Sequence, residues 1–91
     1  MATWPKGALV DANLDTLTVP GTYWQSTASR ATVERGYPRN GMTMILRVEQ
    51  AATSIVTQEA IQYDSTGVQG VWRRSVYTDG RVTAWVNPDR P

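Results

Sequence analysis

The middle of the chain alternates strictly between apolar and polar side chains. Every second residue from 42 to 48 is apolar: Met42, Met44, Leu46 and Val48. The positions between them are mostly polar: Thr43, Ile45, Arg47 and Glu49. A period of two predicts an extended strand with one buried face. This strand is the clearest structural signal in the sequence.

Similar segments follow it and are joined by residues that favour chain reversal. The predicted strands are 54–63, 70–77 and 81–86. The predicted reversals are 50–53, 64–67 and 78–80. Asp79-Gly80 is the strongest turn signal, because this pair supplies the positive φ angles that a tight hairpin requires. Consecutive hairpins predict a small, mainly β domain built as an antiparallel meander.

The N-terminal half is less regular. Residues 1–10 are predicted to be an irregular lead-in, with Trp4 docked against the body of the domain. Residues 11–17 are typical of one short helical or 3₁₀ turn, capped by Asp11 or Asn13. Pro20-Gly21 ends it as a turn, because Pro fixes φ at the first central position and Gly accepts positive φ at the second.

A first strand is predicted at residues 22–26, followed by a long polar loop over residues 27–41 with a short edge strand at 31–35. Loops of this length in a compact domain are usually functional or mobile. The predicted domain organisation is therefore a lead-in at 1–10, a β domain at 11–86, and a tail or the start of a linker at 87–91.

Composition narrows the class of protein. The 91 residues suffice for one domain with one core, and the β-branched residues favour strands. Cysteine is absent, so packing has to provide the stability without disulfides. The net charge of +1, with no run of one sign, argues against a nucleic-acid partner. No segment has the pattern of a signal peptide or the length of a membrane span, so neither is expected.

The chemistry available to the chain argues against an enzyme. Histidine and cysteine are both absent, which removes the commonest general base and the usual ligands of zinc, and no cofactor or metal is expected. Asp64 and Asp79 are predicted to stabilise turns. Asp11 and Asp15 could share a calcium ion, but helix capping is the favoured interpretation.

Glu49 and Glu59 are the remaining carboxylates that a glycosidase mechanism could use. A hairpin centred on Ala51-Ala52 would place Glu49 opposite Ser54 and Glu59 near Met44. A glycosidase needs two carboxyl groups roughly 5 to 9.5 Å apart across a cleft. The predicted register places them farther apart, and both are interpreted as solvated surface residues.

Three groups of residues are candidates for a binding surface, although packing is the favoured interpretation of each. They are the loop tip with Tyr37, Arg39 and Asn40, the strand pair Trp72 and Arg74, and the hairpin tip with Tyr77 and Asp79 beside Trp85. Aromatic rings can cover the apolar face of a sugar while fixed polar groups bond its hydroxyls. The same residue types suit a protein–protein interface.

A family resemblance covers residues 11–86. The residues that carry it are Asn13-Leu-Asp-Thr-Leu-Thr-Val-Pro-Gly-Thr-Tyr23, the Gly36-Tyr37-Pro38 loop, the strand at 42–48, Thr57-Gln58-Glu59, and Trp72-Arg73-Arg74 followed by Trp85. In this pattern the chain resembles the pyocin knob domain of phage and R-type pyocin tail fibres. It departs at Gln50-Ala-Ala-Thr53, where relatives often carry Gly or Asn.

The resemblance implies a structural and adhesive knob that forms part of a trimeric fibre and contacts neighbouring fibre segments. It also implies attachment to a glycan or lipopolysaccharide of the host surface, and a virion location after synthesis in the host cytoplasm. It assigns no binding residues. The alternatives are a monomeric carbohydrate-binding module appended to a wall-active protein and, disfavoured by the separation of the carboxylates, a fragment of a glycan-cleaving tailspike.

Overall fold

The computed structural model describes residues 7–87 and shows a mainly β domain built on one five-stranded sheet. The strands are β1 (Gly7–Ala8), β2 (Gly21–Gln25), β3 (Met44–Ala52), β4 (Ile55–Asp64) and β5 (Gly67–Tyr77). Three single 3₁₀ turns lie in the N-terminal half, at Leu14–Thr16, Ala28–Arg30 and Val33–Arg35. The predicted fold class is confirmed.

The strands lie side by side in chain order, and β3 to β5 form antiparallel hairpins as predicted. β2 pairs antiparallel with β3 across the long loop. β1 was not predicted. It pairs in parallel with β2, so that Gly7 lies beside Tyr23 and Ala8 beside Trp24. This pairing makes the sheet mixed. The rest of the lead-in, including Trp4, lies outside the described residues.

One face of the sheet is packed against the N-terminal half of the chain and forms the core. The strands contribute Leu46, Val48, Val56, Ala60 and Val76, and the N-terminal half contributes Leu9, Leu14, Ala31, Tyr37 and Met42, all buried. A single sheet can bury a face only if other parts of the chain cover it. The irregular segments before β3 therefore act as the second layer of the domain.

Polar side chains attach this second layer to the sheet. Gln58 is buried on β4 and donates hydrogen bonds from Nε2 to the carbonyl oxygens of Leu14 (2.8 Å) and Leu17 (2.9 Å). The first 3₁₀ turn is capped by Asn13, whose Oδ1 accepts from the backbone N–H of Asp15 at 2.9 Å, as predicted. Asn13 thus satisfies a backbone N–H at the start of this turn, and Gln58 satisfies the carbonyl oxygens of Leu14 and Leu17.

Two local predictions are wrong. The edge strand expected at 31–35 is instead a 3₁₀ turn capped by Thr32, whose Oγ1 accepts from the backbone N–H of Arg35. Residues 81–86 run beside β5 but form only two isolated bridges, Val76–Val82 and Arg73–Val86, rather than a strand. Between these bridges, Thr83 Oγ1 accepts from the backbone N–H of Ser75 in place of a regular ladder bond.

None of the described residues forms a helix of the length and apolar character needed to cross a membrane.

Candidate functional site

The second face of the sheet points away from the core and stays accessible. We call it the open face. It is formed by the outward side chains of β2 to β5: Thr22, Trp24, Ile45, Arg47, Glu49, Thr57, Glu59, Ile61, Val71, Arg73 and Ser75. Side chains alternate between the faces of a strand, so these are the neighbours of the core residues in sequence.

An apolar row crosses the open face near one end of the strands. Backbone pairing places Trp24 beside Ile45, Ile45 beside Ile61, and Ile61 beside Val71. Ile45 is 38% exposed, and the other three members are half-buried. A continuous, partly accessible apolar strip on an otherwise polar face suits an interaction surface.

A charged row lies next to the apolar row. The carboxylate of Glu59 accepts from Arg73 Nε at 2.7 Å through Oε2 and from Arg47 Nη1 at 3.4 Å through Oε1. Arg47 also forms an ion pair with Glu49, with 3.6 Å between Nη2 and Oε2. Two arginines and two glutamates therefore form one network with no net charge.

This network corrects the predicted register of the β3–β4 hairpin. Glu59 pairs with Arg47 rather than with Met44, and Glu49 pairs with Thr57 rather than with Ser54. The two glutamates are diagonal neighbours on the same face, so the separation argument against a carboxylate pair does not hold. In the structure both oxygens of Glu59 are occupied by arginine side chains.

A groove of about 450 Å³ lies on the open face beyond the charged row. Thr57 and Ser75, with short hydroxyl side chains, lie between the charged row and the segment that follows β5. That segment contributes Thr83, Ala84 and Val86 to the groove lining. The reciprocal backbone hydrogen bonds between Arg73 and Val86, 2.8 and 2.9 Å long, hold this wall beside the sheet.

The structure places Tyr37 in the core, as the packing interpretation expects, and not at an exposed loop tip. Tyr37 is 2% exposed, and its hydroxyl accepts a hydrogen bond from Gln25 Nε2 at 3.1 Å. Burial raises the pKa of this phenol. Arg39 and Asn40 are exposed, and Asn40 uses its Oδ1 to accept from the backbone N–H of Val33 at 2.8 Å. The packing alternative describes Tyr37 correctly.

Arg74 and Trp85 belong to a buried structural cluster, not to an exposed surface. Arg74 Nε donates to Gln58 Oε1 at 2.8 Å, and Nη1 donates to Asp15 Oδ1 at 3.0 Å. The guanidinium lies 4.4 Å from the centre of the Trp85 ring, and Trp85 Nε1 donates to the carbonyl oxygen of Gly36. Burial lowers the pKa of Arg74, and Asp15 opposes that shift.

The remaining predicted binding residues also have structural partners. Trp72 is half-buried against the core. At the hairpin tip, Arg81 lies 4.2 Å from the centre of the Tyr77 ring and donates to both carboxylate oxygens of Asp79. Hydrogen bonds from the backbone and side chain of Arg81 lower the pKa of Asp79.

The turn interpretation of Asp64 fits the structure, but the capping interpretation of Asp11 and Asp15 is wrong, because Asn13 caps the first 3₁₀ turn. Asp64 Oδ1 accepts from the backbone N–H and the hydroxyl of Thr66, and these bonds lower the pKa of Asp64. Asp11 forms ion pairs with Arg30 and Arg35. Within residues 7–87, His, Cys, Asp and Glu side chains form no group of three that could hold a metal ion.

Sequence reasoning missed the open face as a site, although the signal was present. The outward positions of β4 and β5 follow from the same alternation that identified the strands. The register of the two strands is all that is needed to place four of these side chains next to one another: Thr57, Glu59, Arg73 and Ser75.

No protein-family model, curated protein or solved structure matches this chain.

Proposed function

We propose that this protein is a knob module of a phage or pyocin tail fibre, with a structural and adhesive role in attachment to glycans of the host cell surface. The observation that carries the proposal is the open face, where an apolar row adjoins a charge-balanced polar row. A surface of this kind suits non-covalent contact. The sequence resemblance over residues 11–86 supplies the biological setting, a virion fibre that acts outside the cell.

Assembly into a homotrimer is part of the proposal. The sheet has one layer of chain over its core face, while Ile45 and its neighbours in the apolar row stay accessible on the other. Association of copies through the apolar row would bury this strip and stabilise the small domain by mass action. A closed threefold arrangement also limits uncontrolled association.

The groove favours one alternative, a monomeric carbohydrate-binding module appended to a wall-active protein. The groove's volume falls within the range of small-ligand sites, roughly 300–1,000 Å³. A monomeric module would use the groove alone, whereas a fibre knob would use the apolar row as well. The oligomeric state of the chain therefore distinguishes the two functions.

Substituting Ile45→Glu is expected to convert the trimer to a monomer, because it places a charge in the centre of the apolar row. The fold should persist, since Ile45 points away from the core. Sedimentation equilibrium measures the oligomeric state, and binding of labelled chain to a panel of bacterial envelopes measures attachment. Loss of trivalent binding should weaken attachment by roughly 10²-fold or more.

Val33→Glu is the matched control, because Val33 is 56% exposed and lies on a 3₁₀ turn away from the open face. This variant should remain trimeric and should attach as the wild type does. A wild-type chain that stays monomeric at every concentration would favour the appended module. An Ile45→Glu variant that remains trimeric would place the interface elsewhere.

A further inference from the structure

We infer that the groove on the open face is a binding site for a neutral saccharide, rather than for an anionic ligand such as a phosphorylated or uronic-acid sugar. This inference rests on the proposed function and narrows it, since host-surface glycans include both neutral and charged sugars. It concerns the groove bounded by the charged row and by residues 83–86, separate from the apolar row.

The charges around the groove are balanced. Arg47 and Arg73 supply two positive charges, and Glu49 and Glu59 supply two negative charges, all on the open face. Arg74 also borders the groove, but its guanidinium is held on the core side by Asp15. An anion would gain from the arginines and lose a similar amount to the glutamates. A neutral ligand avoids both the repulsion and the cost of removing a charge from water.

The hydrogen-bonding groups suit sugar hydroxyls, which both donate and accept. Arg73 uses Nε for Glu59, and its side chain is 57% exposed, so the terminal N–H groups face solvent as donors. Glu49 is 63% exposed and offers carboxylate oxygens as acceptors. Guanidinium and carboxylate groups with fixed partners form strong, directional bonds to hydroxyls. The groove therefore presents donors and acceptors side by side.

The lining also provides room and an apolar wall. Thr57 and Ser75 carry short side chains, which leaves a depression between longer neighbours on either side. Ala84 and Val86 supply apolar surface against which the C–H groups of a sugar ring can pack, and Val86 is 61% exposed. The volume of about 450 Å³ is that of an ordinary small-ligand site.

The two loop tips offer fewer free side-chain groups for ligand binding than the groove does. Tyr37 is inside the core, the Tyr77 ring is stacked by Arg81, and Asp79 has both oxygens bonded to that same arginine. The groove is the place where the described residues combine a depression, accessible donors and accessible acceptors.

The test uses the 91-residue chain labelled with ¹⁵N and titrated with neutral oligosaccharides of glucose, mannose or galactose, and with matched uronic-acid oligosaccharides. We expect at least one neutral oligosaccharide to shift the amide signals of Thr57, Ser75 and Ala84. Its dissociation constant should change less than about twofold with added salt, because screening affects net charges.

Ser75→Tyr fills the groove from the outward face and should weaken binding by at least about tenfold. Thr22→Tyr is the matched control, because Thr22 lies on the open face outside the groove lining, and it should bind as the wild type does. The inference is overturned if no neutral oligosaccharide binds, if only acidic ones bind with strong salt dependence, or if the shifted amides lie outside the groove.

The two proposals fail in different ways. If Ser75→Tyr keeps full attachment to bacterial envelopes, the groove is not the adhesive site, while the fibre knob stands. If the wild-type chain binds neutral saccharides in the groove but attaches to no envelope, the saccharide site stands and the proposed function fails.

Discussion

Replacing Arg74 with alanine should lower the free energy of unfolding by about 3 kcal/mol. The side chain is 4% exposed and connects β5 to Asp15, to Gln58 and to the Trp85 ring. Its loss leaves the Gln58 oxygen without its donor in the core and Asp15 without its partner. Breaking a buried pair costs about 3–5 kcal/mol, but the 41% exposure of Asp15 allows partial hydration and favours the lower end. Urea unfolding followed by tryptophan fluorescence measures the change.

Arg73→Ala is the matched control for this prediction. Arg73 is the adjacent residue on the same strand but points to the open face, where its ion pair with Glu59 is solvated. Exposed pairs contribute about 0–1 kcal/mol, so this variant should remain close to the wild type. Equal losses of stability for the two variants would contradict the assignment of Arg74 to the buried face of β5 and Arg73 to the solvated face.

Replacing Tyr37 with alanine should lower the free energy of unfolding by about 3–5 kcal/mol, since it opens a cavity the size of an aromatic ring in the core. The ring extends from the loop that precedes β3 into the core, and its hydroxyl accepts from Gln25. A loss of this size is a large part of the total stability of a small domain, and partial unfolding at 25 °C is expected. Thermal unfolding monitored by circular dichroism checks it.

Two further variants separate packing from contact at this loop. Tyr37→Phe keeps the ring and removes one hydrogen bond, so its cost should be about 1 kcal/mol. Arg39→Ala changes an exposed side chain two residues away and should leave stability unchanged within about 0.5 kcal/mol. A Tyr37→Ala variant that is as stable as the wild type but no longer attaches to envelopes would contradict the packing role and show that Tyr37 is a contact residue.

The meander could be predicted from the sequence because its strands show strict alternation and its turns have typical residues. Asp79-Gly80 and the Asp64 turn lie where the prediction placed them. Alternation alone also separates Arg73 from Arg74, one on each face of β5. These are local rules. The structure shifts the ends of the strands by a few residues and reduces the predicted strand at 81–86 to two isolated bridges.

Register was harder to predict, because it depends on where a hairpin turns. The prediction centred the β3–β4 turn on Ala51-Ala52, but the chain reverses after Ala52, which pairs with Ile55, and an irregularity follows Gln50. The observed register pairs Leu46 with Ala60 inside the core. Burial of apolar side chains on one face selects this pairing over slipped alternatives. The error hid the relation between Glu49 and Glu59.

The second layer of the core could not be predicted from periodicity, since residues 27–41 have none. Polarity suggested a surface loop, but isolated apolar residues such as Ala31 and Tyr37 point inward and cover the sheet. Gly36 also fits this packing: its φ is +89°, and a β carbon there would lie 2.6 Å from Asp15 Oδ1. Such positions are set by tertiary contacts rather than by local sequence.

The central claim is that the protein attaches through its open face. Hydroxyl-radical footprinting tests this claim directly, because it measures which side chains lose solvent accessibility on binding. The 91-residue chain would be oxidised dilute in solution and again when bound to the bacterial envelopes that it recognises. We predict that oxidation falls on binding at Arg73 and Val86, which are exposed in the groove of the open face, whereas Pro38 and Val82 remain as reactive as before. Protection confined to residues 36–41, with Arg73 and Val86 unchanged, would contradict the assignment of the open face as the adhesive surface.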